Sequence, residues 1–245
     1  MRYWFIVPAA GSGSRFGGER PKQYAPFAGS TVIENTLGRL LELDALAIVL
    51  AFSPDDSCWQ SLDISKHQKI RTCAGGAERA DSVYLALQSI ADEAEEADWV
   101  LVHDVARPCV RVADIRLLIE ALSDHPVGGL LATPVSATLK RVDSSEYTDT
   151  TNVKTVGGVL ETVPREHLWA AATPQMFRYG LLKKALQQCN DAGISPTDEA
   201  GAIERLGLQP EIIEGHSDNL KITHGADLAL AEAILAYQQQ HQTEE

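Results

Sequence analysis

Between Pro8 and Tyr24 the chain gathers residue types suited to holding phosphate. The run Ala9-Ala10-Gly11-Ser12-Gly13-Ser14 is small enough for backbone N–H groups to approach an anion, and Arg15 and Lys22 add fixed positive charge. Two common phosphate loops are excluded by single residues. The dinucleotide fingerprint G-x-G-x-x-G starts at Gly11 and Gly13 but meets Phe16 where its third glycine belongs. The G-x-x-x-x-G-K-[ST] loop fits from Gly13 to Gly18, then meets Glu19 and Arg20. A plain Gly/Ser surface loop with two solvated cations is the alternative to a phosphate cradle.

Two further clusters carry chemistry. One is Gly75-Gly76-Ala77-Glu78-Arg79-Ala80-Asp81-Ser82, the other His103-Asp104-Val105-Ala106-Arg107-Pro108. A carboxylate such as Asp104, just past a buried strand, can serve a ribose hydroxyl or a metal-bound nucleotide. It can equally cap the following helix.

The elements that must position these clusters follow from apolar spacing. Residues 3–7 read as a short buried strand broken at Pro8, 32–41 as an amphipathic helix, and 45–52 as a strand covered on both faces. Ser53-Pro54-Asp55-Asp56 reads as the start of a helix. A strand at 69–73, a helix carrying Val83, Leu87 and Ile90, a strand at 99–103, a helix around 115–122 and a strand at 129–132 continue the alternation. This predicts an α/β fold, a mostly parallel sheet with helices on both faces. The three clusters then fall beyond the carboxyl ends of strands, where such sheets bind ligands. Residues 134–165 break the pattern. Rich in Val and Thr, with a polar centre at Asp143-Ser144-Ser145-Glu146, they read as an extended β-hairpin arm inserted in one 245-residue domain. Helices at 179–190 and 199–206, a strand at 210–213 and a last helix at 226–237 resume the α/β order. Two strands are marginal in water, so an arm this long needs a packing surface.

Composition narrows the partners. Net charge is −13, which argues against nucleic acid or an anionic membrane, yet residues 1–22 carry +3 and the remainder −16. A locally basic loop in an acidic chain suits a small polyanion. Cys58, Cys73, Cys109 and Cys189 form no metal-ligand or C-x-x-C spacing, as expected of reduced thiols in a cytoplasmic protein. The apolar start is too short for a signal peptide and runs into the phosphate loop, and no stretch approaches a membrane span.

The pattern P-A-A-G-x-G-x-R followed by P-K-Q resembles nucleotidyltransferases that attach a nucleoside monophosphate to a phosphorylated small molecule. More closely, the sequence resembles the 2-C-methyl-D-erythritol 4-phosphate cytidylyltransferases of the non-mevalonate isoprenoid pathway. The stretches P-A-A-G-S-G-S-R, P-K-Q-Y, G-G-A-E-R-A-D-S-V, V-H-D-V-A-R-P, T-L-K-R, A-T-P-Q-M-F, T-D-E-A and D-N-L-K-I-T occur in family order from Pro8 to Thr223. The resemblance implies a Rossmann-like nucleotidyltransferase fold and transfer of CMP from CTP to methylerythritol phosphate. It implies that Ala9, Ala10, Gly11, Gly76 and Ser82 line the cytosine and ribose pocket, with Asp104 and Val105 beside the ribose. Arg15 and Lys22 would grip the triphosphate, with Mg²⁺ bridging phosphate oxygens rather than held in a protein site. The polyol phosphate would meet Arg107, Thr138, Thr173, Thr197 and Lys221, plus Arg165 from the arm of a second subunit in a homodimer. Arg165 and Lys221 thereby join Arg15 and Lys22 as the charged catalytic set. The plainer alternatives are that Arg165 is a solvated arm charge and that Thr197 caps the following helix.

Three departures stand out. Ala77 occupies a position where the family has an acidic residue, Val105 replaces the alanine of H-D-A-A-R-P, and the arm loop around 146–158 is long. Rival readings are a ribitol-phosphate or other polyol-phosphate cytidylyltransferase, a catalytically silent nucleotide-binding regulator, and a dinucleotide-dependent oxidoreductase. Retention of Arg15 and Lys22 weighs against the regulator, Phe16 against the oxidoreductase. The chain ends soon after its last helix, so no fused second pathway enzyme is expected.

Overall fold

The computed structural model describes residues 1–11, 16, 21–143 and 157–241, together with the backbone of 148–150 and 153–155. The chain begins with β1 (Tyr3–Ala9) and a small hairpin of β2 (Pro26–Phe27) and β3 (Ser30–Thr31). It continues through α1 (Val32–Leu41), β4 (Ile48–Phe52), β5 (Ile70–Ala74), α2 (Arg79–Ser89), β6 (Trp99–Val102), α3 (Val112–Ala121) and β7 (Gly128–Pro134). The arm segment holds β8 (Leu139–Val142), β9 (Thr148–Thr150), β10 (Val153–Thr155) and β11 (Val159–Val163). Then follow β12 (Trp169–Arg178), α4 (Tyr179–Asp191), α5 (Glu199–Glu204), β13 (Glu211–Glu214) and α6 (Ala226–His241).

Seven strands make the main sheet in the order β13-β7-β12-β6-β1-β4-β5. β1 pairs in parallel with β4 and β6, β4 with β5, and β7 with β13. Only β12 runs against its neighbours, β6 and β7. The period-2 alternation of β1 divides the core. Tyr3, Phe5 and Val7 meet α1 and α3 through Ile33, Leu37 and Ile115. Trp4 and Ile6 face the other way, onto Val83 and Leu87 of α2 and Leu182 and Leu186 of α4. Both faces are therefore covered by helices, as the alternation predicts.

Local chemistry sets the ends of elements. α1 starts where it does because Thr31 and Glu34 form a capping box, each side chain accepting the other's backbone N–H. β1 runs two residues further than expected. Pro8 is tolerated because the pairing with β6 has ended at Ile6, and only β4 continues beside it.

Ser53 does not start an α-helix. The carboxylate of Asp56 instead accepts from the N–H groups of Cys58 and Trp59 and from the Tyr24 hydroxyl, holding the bend that leads into two short 3-10 turns, Trp59–Ser61 and Asp63–Lys66. Trp59 closes onto Phe52, and only the scattered Leu62 and Ile64 follow, so no continuous apolar stripe exists to bury a longer helix. β12, the longest strand, was not expected from the sequence.

In the segment expected to form an arm, 134–165, the described strands pair among themselves. β8 pairs with β11 and β9 with β10, all antiparallel and separate from the main sheet. Residues 144–147, 151, 152 and 156, within the expected polar centre and the arm loop around 146–158, lie outside the described residues.

Candidate active site

At the carboxyl end of β1 the chain turns through Ala9, Ala10 and Gly11, and a buried Gln23 pins that turn by donating to the Ala9 carbonyl (3.0 Å). The turn lies against Gly75 and Gly76 at the end of β5. A Cβ on Gly75 would stand 2.5 Å from the Ala10 methyl, and one on Gly76 2.3 Å from Asp81 Cβ, so neither position admits a side chain. Ser82 then locks the second turn, its Oγ accepting from the Gly76 N–H (3.1 Å). Between these turns and the end of β6 opens a cleft of about 400 Å³. Ala9, Ala10, Gly11, Lys22, Gly76, Ser82, Asp104, Val105 and Lys221 all line it.

Asp104 carries the charge pattern of the cleft. Its Oδ1 accepts from Arg79 Nε (2.9 Å), its Oδ2 lies 2.7 Å from Lys221 Nζ, and Arg107 Nε stands 3.8 Å away. Burial works to raise its pKa, but Arg79, Lys221 and Arg107 outweigh it and hold the carboxyl well below the usual range. Arg79 is in turn held by a second carboxylate, Glu199, through two hydrogen bonds of 2.7 and 3.0 Å. Burial pulls against the Arg79 charge, yet Glu199 and Asp104 together raise its pKa. Lys22 donates to the carbonyl of Ile222 (3.1 Å), the residue after Lys221, so both lysines reach the same edge of the cleft from opposite ends of the chain.

Behind Asp104 lies a neutral relay. The Thr173 hydroxyl accepts from the Asp104 N–H (3.0 Å), so its own proton goes to His103 Nδ1 (3.1 Å). His103 Nε2–H then donates to the Arg107 carbonyl (3.2 Å). Fully buried, His103 has its pKa pushed down to about 4 by burial, and it stays neutral. Arg107 is largely buried too, donating to the Asn219 carbonyl (2.6 Å).

Thr138, Arg165 and Thr197 are not part of the cleft lining. Thr138 and Arg165 are exposed at the base of the arm, where Arg165 donates to the Ser136 carbonyl. Thr197 precedes α5 but does not cap it. That role falls to Asp198, whose carboxylate accepts from the Gly201 N–H (2.9 Å) and the Gln175 amide (2.9 Å). Arg15 lies outside the described residues. Sequence reasoning assigned no role to Arg79 or Glu199, although both sit inside stretches it singled out. Nothing local distinguishes them from solvated charges, because their pairing spans 120 residues.

A family model for 2-C-methyl-D-erythritol 4-phosphate cytidylyltransferase matches residues 4–237. The chain belongs to that cytidylyltransferase family. Two proteins bearing the family's name agree over nearly full length. That of Hahella chejuensis is 50% identical over 235 residues, covering 96% of this chain and 93% of its own. That of Dechloromonas aromatica is 49% identical over 239 residues, covering 96% and 97%. Among solved structures, the 2-C-methyl-D-erythritol 4-phosphate cytidylyltransferase of Francisella tularensis superposes with a TM-score of 0.77 at 37% identity, over 96% of this chain and all of its own. A 4-diphosphocytidyl-2C-methyl-D-erythritol synthase gives 0.79 at 34% identity, over 96% and 98%. The protein is thus an enzyme, a cytidylyltransferase with the α/β nucleotidyltransferase fold.

Proposed function

We propose that this cytidylyltransferase transfers CMP from CTP to 2-C-methyl-D-erythritol 4-phosphate, releasing pyrophosphate and giving 4-diphosphocytidyl-2-C-methyl-D-erythritol. The observation that carries the reading is the cleft itself. Small residues and backbone form one wall at Ala9, Ala10 and Gly76, Asp104 forms the floor, and Lys22 and Lys221 meet at the edge. The nucleoside occupies the small-residue wall with its ribose toward Asp104 and Val105. The triphosphate lies along Gly11 and Lys22, and the family resemblance adds Arg15 to its contacts. A phosphate oxygen of the polyol attacks the α-phosphorus in line, forming one P–O bond as the bond to pyrophosphate breaks. That oxygen is largely ionised at neutral pH, since the second pKa of a phosphate monoester is about 6, so no general base is needed. Lys22, Lys221 and Arg15 offset the charge that two polyanions bring together. The family resemblance assigns Arg107, Thr138, Thr173 and Thr197 to the polyol; here Thr138 and Thr197 stand outside the cleft lining and the Thr173 hydroxyl is bonded to Asp104 and His103.

Magnesium fits this donor set. Among the described residues no three His, Cys, Asp or Glu side chains gather as a metal cage. Magnesium keeps much of its water and takes substrate phosphates, so it would be carried by the phosphates of the nucleotide, while both oxygens of Asp104 are already held by Arg79 and Lys221. Bound in that way, the ion would offset charge on the α-phosphoryl group.

The arm serves a homodimer in this reading. Val159 and Leu160 on β11 are 61% and 62% exposed, an apolar pair that a second arm would cover and that brings Arg165 toward the neighbouring site. Among the described residues no helix is long and apolar enough to cross a membrane, and we assign the activity to the cytoplasm.

Pyrophosphate release from CTP, measured side by side with methylerythritol phosphate and ribitol phosphate, tests the assignment. Methylerythritol phosphate should give the higher kcat/KM. A preference for ribitol phosphate would reassign the acceptor. Equal turnover of ATP and CTP would contradict a wall of small residues that suits a pyrimidine.

A further inference from the structure

Glu199 is 1% exposed and lies on α5, outside the cleft lining. A buried carboxylate is costly unless paired, and this one is paired bidentately with Arg79. Arg79 spends its Nη1 and Nη2 on Glu199 and its Nε on Asp104 Oδ1. The guanidinium is planar, so fixing two of its nitrogens fixes the direction of the third. Glu199, Arg79, Asp104 and Lys221 form a ladder of alternating charge, and only its last three members reach the cleft.

α5 is itself anchored to β12. Gln175 donates to Asp198 (2.9 Å) and accepts from the Ala200 N–H (2.8 Å), which sets Glu199 between two bonded neighbours. The rotamer of Asp104 is therefore determined by a helix some hundred positions downstream. With Arg79 held, Oδ1 is occupied and Oδ2 is turned to the cation at the cleft edge.

We propose that Glu199 is a positioning residue for the nucleotide: it orients Arg79, and Arg79 presents Asp104 to the ribose side of the cleft. This rests on the reading of Asp104 given above. Without Glu199 the guanidinium can turn into the cleft, and Asp104 is left to Lys221.

The test measures KM for CTP and for methylerythritol phosphate, with kcat and melting temperature, in Glu199→Gln, Arg79→Gln, the double variant and Asp104→Asn. Glu199→Gln keeps the shape of the side chain. It is expected to raise KM for CTP roughly tenfold, within the range for coupled neighbouring charges, with a smaller change for the polyol phosphate. The double variant removes both charges, leaves neither uncompensated, and should match Arg79→Gln rather than add to it. Should Glu199→Gln fail to fold, that non-additivity in the double variant decides. An unchanged KM for CTP in folded Glu199→Gln overturns the proposal. So do equal rises for both substrates, or additive effects in the double variant. A rise in Asp104→Asn without one in Glu199→Gln sinks the positioning role of Glu199 alone, whereas an unchanged Asp104→Asn sinks the reading of the site and that role with it.

Discussion

Lys22 lines the cleft and His103 lies buried behind Asp104, and the physics asks opposite things of them. Lys22 donates to the Ile222 carbonyl at the cleft edge. If it steadies charge on the transferring phosphoryl group, Lys22→Ala should lower kcat by about 10²–10³ with little change in melting temperature, as losing one such donor does elsewhere. Near-native turnover in a folded variant would remove Lys22 from the mechanism. His103 must instead stay uncharged. Its pKa falls from 6.5 to about 4 on burial, so between those values the unfolded chain binds a proton that the folded one refuses. Stability is then full above about pH 6.5 and declines by about 3 kcal/mol as the pH drops to about 4, a slope of roughly 1.4 kcal/mol for each step of one in pH. Below that, Asp104 takes over, because its depressed pKa supports the fold only while the carboxyl remains ionised. His103→Asn offers Thr173 an acceptor but cannot titrate. Urea unfolding of this variant between pH 7 and 4 should lose most of that slope, and an unaltered slope would assign it to other histidines.

Elements are where sequence and structure agree best, and where the disagreements teach most. α1 was legible to the residue from its apolar spacing over 32–41, and the Thr31–Glu34 box in the structure accounts for where it starts. Thr31→Ala should cost about 1 kcal/mol in urea unfolding, the usual worth of such a cap, and a loss below a few tenths would mean that packing of Ile33 and Leu37 already fixes the helix start. β12 was illegible for the opposite reason. Trp169-Ala170-Ala171-Ala172 and Thr173-Pro174 show no period-2 pattern, and the strand exists because β6 and β7 pair with it from both sides. Ser53 misled because Asp56 has the chemistry of a cap while the residues after it lack an apolar face. In the cleft, the small residues, Lys22 and Asp104 could be named from the chain, since glycine turns and strand ends leave local marks. The Arg79–Glu199 pair could not, because long-range ion pairing leaves none.

At the scale of the whole molecule the acidic charge and the arm pose one question, namely how enough cations reach a site that binds two polyanions. Net charge is −13, and the cations of the cleft are already partly committed, Arg79 to Glu199 and Lys221 to Asp104. A further guanidinium from a second chain would add to these cations. Arg165 is exposed at the arm base, and the apolar pair Val159 and Leu160 gives the arm a reason to pack against a copy of itself across a two-fold axis. If the site is shared in this way, Lys22→Ala and Arg165→Ala should each be inactive or nearly so, and mixing them under conditions of subunit exchange should restore turnover. In the heterodimer one site carries both lesions and the other none, so activity should recover to at most about half of the heterodimer's sites. Mass measurement of the exchanged species fixes how many heterodimers are present. Heterodimers that form yet restore nothing would mean that Arg165 acts within its own chain or takes no part in the reaction.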